Sequence, residues 1–477
     1  MNYLCALKKR LRDGLMIRKF KHLLKYDIHF KELLQGSILS FGVKVLGTVI
    51  AFMATIITTR YYGADALGVT SLVFVILNFA NIIGKVGVET ASLKFIAQYH
   101  SQNKPELVKE IYVKAFMVIL SVSIPLGILL YFIAPILANN VFHKAYLEEF
   151  IRVQGFLVTP LALTYLNFEC LRGLKKVGLF MFFNSVALYL FSALIMLGAL
   201  VYFGGKFIPK IYCNSTTVMA QNVSVLLTFF LSMIVWLRTS KFFKVKVTHV
   251  IPYGELLSVS MPMLLASSIF FIQNWTATFI LGIYGTDVDV GVFNTIQRIS
   301  SISSIFLLAI NSISAPKFSE LFTKGDMHGF QRFVTKSTQM IFFSSLPVLI
   351  AFCLFPELVL RFFGKAFVIG SIPLIIMTVG QFLGIISGSV GYLLIMTGYQ
   401  RIYQNIILFT SFMNIILCML FIPTMGVLGA AIANSITVIL WNFMAVISIK
   451  RKLNIISVYF PGISFLKRYY SNFAINS

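Results

Sequence analysis

Long apolar runs follow one another along the chain with only short polar connections between them. Twelve runs reach the length of about 20 residues that a helix needs to cross the hydrocarbon core of a bilayer. They fall at 37–59, 69–88, 113–138, 151–171, 178–204, 215–237, 257–284, 291–315, 337–360, 371–397, 403–422 and 427–449. Within four of them the few polar residues recur at spacings of three, four and seven, which places them on one face of a helix. The first run carries Ser37, Ser40, Lys44, Thr48 and Thr55, and the second Ser71, Asn78, Asn81 and Lys85. The seventh carries Ser260, Ser267 and Asn274, and the eighth Asn294, Arg298, Ser301 and Asn311. The pattern predicts an all-α integral membrane protein with twelve transmembrane helices.

Composition agrees. Apolar residues make up 58% of the chain and charged residues only 12%, about half the share of a soluble domain. The formal charge of +24 would suggest a nucleic-acid partner in a soluble protein. Here the charges sit in loops and tails, which points to membrane orientation and anionic lipid headgroups and away from nucleic acid. With the N-terminus inside, thirty of the forty Lys and Arg fall on the cytoplasmic side and seven on the other, leaving Lys44, Lys85 and Arg298 within spans. Adding or removing one helix would scramble this bias, so both termini are expected in the cytoplasm. The first 36 residues are basic without a sustained apolar stretch, which argues against a cleavable leader; Leu4, Leu7, Leu11 and Leu15 among basic residues suggest an interfacial helix. The five cysteines are scattered, with no metal-ligand or disulfide spacing, so no metal or other cofactor is expected.

The two halves of the chain resemble each other. Glu32-Leu33-Leu34 recurs as Glu255-Leu256-Leu257, and Tyr62-Gly63-Ala64-Asp65 as Tyr284-Gly285-Thr286-Asp287. Gly68-Val69 recurs as Gly291-Val292 and Lys94-Phe95 as Lys317-Phe318, at a displacement of 222 or 223 throughout. Six spans per half is an even number, so both halves run the same way through the membrane, as in transporters built from parallel repeats. The expected organisation is a basic segment at 1–36, a first six-helix lobe at 37–240, a second at 255–449 and a basic tail at 450–477.

Several stretches carry a family resemblance: Thr59-Arg60-Tyr61-Tyr62-Gly63 through Gly68-Val69; Gly291-Val292-Phe293-Asn294 to Gln297-Arg298 with Ala315-Pro316-Lys317; and Ile422-Pro423-Thr424-Met425-Gly426-Val427-Leu428-Gly429-Ala430-Ala431-Ile432-Ala433. In these the chain resembles the polysaccharide and O-antigen flippases of the multidrug/oligosaccharidyl-lipid/polysaccharide exporter superfamily, over roughly residues 32–450. The resemblance implies two lobes around a central cavity lined largely by helices 1, 2, 7 and 8, and alternating access. It implies a polyprenyl-pyrophosphate-linked oligosaccharide as substrate, a bacterial inner membrane, and polymerase or glycosyltransferase machinery as partners. The two extra C-terminal helices typical of peptidoglycan lipid II flippases are not expected.

A charge at mid-bilayer costs about 2.5–3.5 kcal/mol on insertion scales, so Lys44, Lys85 and Arg298 are candidate substrate groups. They would attract a pyrophosphate while Asn78, Asn81, Asn274, Asn294 and Gln297 bind sugar hydroxyls; the alternative for the two lysines is snorkelling to an interface. Glu89 and Glu169 lie near helix ends, and Glu169 is placed to pair with Arg172. Ion antiport through a buried carboxylate therefore has little support, and the membrane potential could drive a doubly negative substrate outward by about 4–5 kcal/mol per 100 mV. A drug or small-cation exporter of the same superfamily would favour carboxylates in the cavity. A membrane enzyme would need a large outer loop, and the longest, 139–150 and 205–214, hold one histidine, His143. No catalytic residues are expected. Asp287-Val288-Asp289 is read as part of a short turn, and Gly380, Gly384 and Gly388 as a helix-packing motif.

Overall fold

In hydrocarbon every backbone N–H and C=O must find its partner inside the protein, and a helix supplies one locally. The computed structural model, whose described residues are 28–203, 210–240 and 251–459, is accordingly built of helices joined by short turns. The basic helix expected at the N-terminus and most of the basic tail lie outside them, as do the side chains of Ser37 and Ser40.

The first half contains α1 (Ile28–Ile57), α2 (Ala64–Lys85), α3 (Val88–Ser101), α4 (Pro105–Ile136), α5 (Leu147–Gly173), α6 (Val177–Phe182), α7 (Leu188–Tyr202) and α8 (Lys210–Thr239). The second contains α9 (Tyr253–Tyr284), α10 (Asp287–Ser300), α11 (Ser303–Thr323), α12 (Met327–Leu354), α13 (Pro356–Arg361), α14 (Ser371–Ile386), α15 (Val390–Met396), α16 (Gln400–Met425) and α17 (Val427–Leu453). Wide π-turns at Thr58–Tyr62, Leu137–Val141 and Phe183–Ala187 extend α1 and α4 and join α6 to α7.

Among the described residues, ten helices are long and apolar enough to cross a membrane, or eleven when α10 and the start of α11 count as one broken span. Two expectations need correcting. The eighth span is not continuous: it bends by 44° after Ser300. The expected fourth span, α5, falls outside the apolar count although its 27 residues make it about 40 Å long. It carries Glu148, Glu149, Arg152, Glu169 and Arg172, and most of its surface is buried against α2, α3, α4 and α8. A helix sheathed by protein need not be greasy, so the hydropathy of α5 understates its depth. Pro125 and Pro135 lie inside α4 and Pro347 inside α12, whereas Pro356 begins α13.

At one end of the bundle the two halves touch through main chain. α2 packs on α10, and a Cβ at Gly68 would overlap the backbone of Asp287, while one at Gly291 would overlap that of Ala64. These glycines, 223 residues apart in sequence, thus each seat the other's helix. Lys144 Nζ pairs with Asp287 Oδ1 at 2.9 Å, and the Tyr146 hydroxyl donates to the same carboxylate. Burial and that carboxylate push the Tyr146 phenol up from its ordinary pKa. Arg60 Nε donates to the Phe362 carbonyl at 2.8 Å, closing the same end from α1. The Asp-Val-Asp string is therefore structural: Asp287 takes the ion pair, and Asp289 forms a capping box with Thr286 at the start of α10.

At the other end the start of α9 is tied to α4. The Ile251 N–H donates to Glu110 Oε1 at 2.7 Å, and Lys114, paired with the same carboxylate at 2.6 Å, donates to the Ile251 carbonyl. Gly380 and Gly384 pack on Ser435 and Asn442 of α17, as a small-residue motif should. Gly388 does not belong to that motif; it stands beyond the end of α14 with φ of +77°, against Thr338.

Candidate functional site

Arg298 lies on α10, past the crossing with α2, and reaches across to the first half of the chain. Its Nη1 donates to Thr55 Oγ1 at 3.0 Å, and the guanidinium stands 5.0 Å from the centre of the Tyr189 ring on α7. A contact at 3.5 Å to the Ala51 carbonyl completes its protein partners. The group is half-buried, and none of these partners is an acid. Against these partners most of the five guanidinium donors stay unspent.

Ala51, Thr55, Thr48 and Lys44 occupy one face of α1 at helical spacing. Lys44 is exposed, eleven residues below Thr55 along that face, a rise of about 16 Å. Among the described residues its amine has no hydrogen-bond or ion-pair partner. The face that receives Arg298 therefore carries a second, free cation further along.

One step round α10 from Arg298, Gln297 and the nearby Ser301 enter a cavity of about 670 Å³. Its wall carries nine side-chain amides: Gln273 and Asn274 from α9, Gln297 from α10, Gln381 from α14, Gln404, Asn405 and Asn414 from α16, and Asn434 and Asn442 from α17. Trp441, Tyr403 and Phe270 add aromatic surface, and among the described residues no Asp, Glu, Lys or Arg lines it. Gln297 Nε2 donates to the Asn274 carbonyl at 3.2 Å, and Asn414 Nδ2 to Thr437 at 3.0 Å, which hold the wall together.

The residues singled out in sequence thus separate. Arg298, Gln297 and Asn274 come together around the cavity and its rim, with Lys44 on the facing stripe. Asn78 is half-buried and donates to its own helix at Phe74, and Asn81 is 1% exposed with its oxygen unbonded. Asn294 is buried between Val290 and Thr278. Lys85 departs furthest from the expectation. It is 8% exposed, forms an ion pair with Glu89 at 2.7 Å and stands 4.5 Å from the Tyr165 ring. Its charge is spent inside the first half, because a buried ammonium is tolerable only with a partner and Glu89 stands one turn away. This cavity is lined by α9 and α10 together with α11, α14, α16 and α17, a different set from the helices 1, 2, 7 and 8 that the resemblance places around a cavity between the lobes. Both ends of α2 are occupied, one by α10 and the other by the Lys85 pair. The amides of α14, α16 and α17 were missed in sequence, since each helix offers only one to three of them and no stripe.

The carboxylates lie away from this wall. Glu89 faces Lys85, Glu110 faces Lys114, and Glu169 stands 3.4 Å from Arg172 as its spacing suggests. Breaking a buried pair by removing one partner costs about 3–5 kcal/mol. Lys85→Ala is therefore expected to lower the melting temperature of the detergent-solubilised protein, and Lys85→Ala/Glu89→Ala to recover most of the loss. An unchanged melting temperature in the single variant would show that the pair does not hold the fold.

The described residues thus form a multi-pass helical bundle whose halves meet at one end, beside a largely apolar cavity that carries amide groups. Solved structures agree on the fold. The lipid II flippase MurJ in an inward closed conformation superposes with a TM-score of 0.71, over 90% of this chain and 89% of that one at 17% identity. A multidrug resistance MATE family transporter of the MOP superfamily, inward-facing, gives 0.70 over 88% and 98%, also at 17% identity. The chain belongs to the family of polysaccharide biosynthesis proteins, whose model matches residues 52–368. Its relatives include the capsular polysaccharide biosynthesis protein CapF of Staphylococcus aureus, 26% identical over 214 residues, 44% of this chain and 53% of CapF. Another, named "Probable low-salt glycan biosynthesis flippase Agl15", comes from Haloferax volcanii and is 23% identical over 168 residues, 35% of this chain and 36% of that protein. The chain spans about half or less of the length of these curated relatives.

Proposed function

We propose that the protein is a flippase that carries a polyprenyl-pyrophosphate-linked oligosaccharide from the cytoplasmic to the outer leaflet of a bacterial inner membrane. In this reading twelve spans form two six-helix lobes, 37–240 and 255–449, that rock against each other, with both termini in the cytoplasm. The crossing of α2 and α10 is then the outer gate, and the space between the lobes opens inward. Lys44 meets the entering pyrophosphate, and Arg298 seats it between the lobes.

The observation that carries the reading is Arg298: a half-buried guanidinium with no acidic partner, held by Thr55 and Tyr189 beside an amide-lined cavity. Such a fork suits a phosphate. A carrier of lipophilic cations would instead place a carboxylate at the cavity, and among the described residues none lines it. The relatives named for capsular polysaccharide and glycan biosynthesis support the same substrate class.

The test is reconstitution in proteoliposomes with a fluorescent polyprenyl-pyrophosphate-linked trisaccharide. The lipid is expected to reach the opposite leaflet at a rate proportional to protein, and ethidium to remain where it is loaded. Movement of ethidium without movement of the sugar lipid would replace the flippase with a cation exporter.

A further inference from the structure

We infer that the cavity among α9, α10, α14, α16 and α17 is a binding site for uncharged sugar residues, separate from the cationic seat at Arg298. The inference rests on the flippase reading and adds where the glycan sits and which glycans the cavity prefers.

Three features of the wall support it. First, its polar groups are amides, which offer both donors and acceptors, the match for a hydroxyl that does both. Gln273, Gln381, Gln404, Asn405 and Asn434 make no side-chain hydrogen bond within the protein among the described residues, and Asn434 is only 8% exposed. Gln404 and Asn405 are exposed and Gln273 and Gln381 half-buried, so their donors and acceptors are open to an incoming hydroxyl. Second, Trp441 lies on the wall with Tyr403 packed edge-on to it, at 6.4 Å between ring centres. Sugar rings present apolar C–H faces, and an aromatic ring is the surface that covers them while its neighbours bond the hydroxyls. Third, among the described residues no charged side chain lines the cavity. A uronate or an amino sugar would enter without a counter-charge, and stripping water from an unpaired charge is expensive. The volume of about 670 Å³ falls in the range of small-molecule sites, about 300–1,000 Å³.

The division of labour is chemical. The pyrophosphate goes to Arg298 by charge, and the neutral sugars go to the amides by hydroxyl pairing. Selection among glycans then rests on the second half of the chain.

The test uses the full-length protein in nanodiscs with Trp275→Phe, which leaves Trp441 as the reporter because Trp236 is fully buried. Titration with maltotriose, a neutral oligosaccharide, is expected to give a saturable change in emission that Trp441→Phe removes. Gln381→Met, which keeps the side-chain length, and Asn434→Leu are each expected to weaken the response about ten-fold. Trigalacturonate, of similar size with three carboxylates, is expected to give no response. No saturable change with maltotriose, an equal response to trigalacturonate, or unaltered affinity in the correctly folded Gln381→Met variant overturns the assignment. Failures of the two readings are distinguishable. Flipping of the sugar lipid without maltotriose binding removes the cavity assignment and keeps the flippase; maltotriose binding without flipping removes the flippase and keeps the cavity.

Discussion

Arg298→Ala is expected to cut the flipping rate of a pyrophosphate-linked glycan about ten- to a hundred-fold at an unchanged membrane level of protein. A hydrogen bond to a charged group contributes about 1.5–3 kcal/mol, which converts to that range. The fold should survive, because the guanidinium gives up one hydroxyl, a long carbonyl contact and a ring face, all of them at a half-buried site. Arg298→Lys should fall between, since an ammonium restores the charge without the two-pronged fork. Lys44→Ala should cost less, because the amine is exposed and screened by water. The measurement is the rate in proteoliposomes, with surface glycan of a complemented deletion strain as the cellular readout. A wild-type rate for Arg298→Ala would end the assignment of the phosphate to this residue.

Gly68→Val should abolish transport by a different route. The glycine lies against the Asp287 backbone where α2 crosses α10, and there is no flexible side chain to move aside. Any Cβ forces the two main chains apart, so the end closed by this crossing should stay open. Val290, 0% exposed on α10, reports the change. In a cysteine-free background, Val290→Cys is expected to resist a membrane-impermeant maleimide and to react once Gly68→Val is added. Gly42→Ala is the control, since nothing lies within 4 Å of its added Cβ. Removing the ion pair with Lys144→Ala should do less. A partly exposed pair contributes up to about 1 kcal/mol, a shift of roughly five-fold in the open population. If Val290→Cys stays unreactive beside Gly68→Val, the crossing is not the gate.

The sequence by itself determined that the chain is helical and membrane-embedded, because both follow from the length and spacing of apolar runs. It determined that Lys44 and Thr55 share a face and that Arg298 lies inside a span, because a 3.6-residue repeat is a local property. It could not see the break after Ser300, where no proline or glycine marks the bend, nor that α5 is largely covered by other helices between its charged ends. Hydropathy treats lipid and protein interior alike, since both are apolar.

Only the tertiary structure decided what Arg298 meets. Lys85 has Glu89 four residues on, a partner visible in the sequence, whereas Arg298 meets an uncharged hydroxyl and a ring from the first half of the chain. Which helix lies opposite Arg298 is a matter of packing, and no periodicity encodes that. The cavity wall has the same origin. Gln381, Asn405 and Asn434 stand on three different helices, and packing alone brings them to the wall of one cavity.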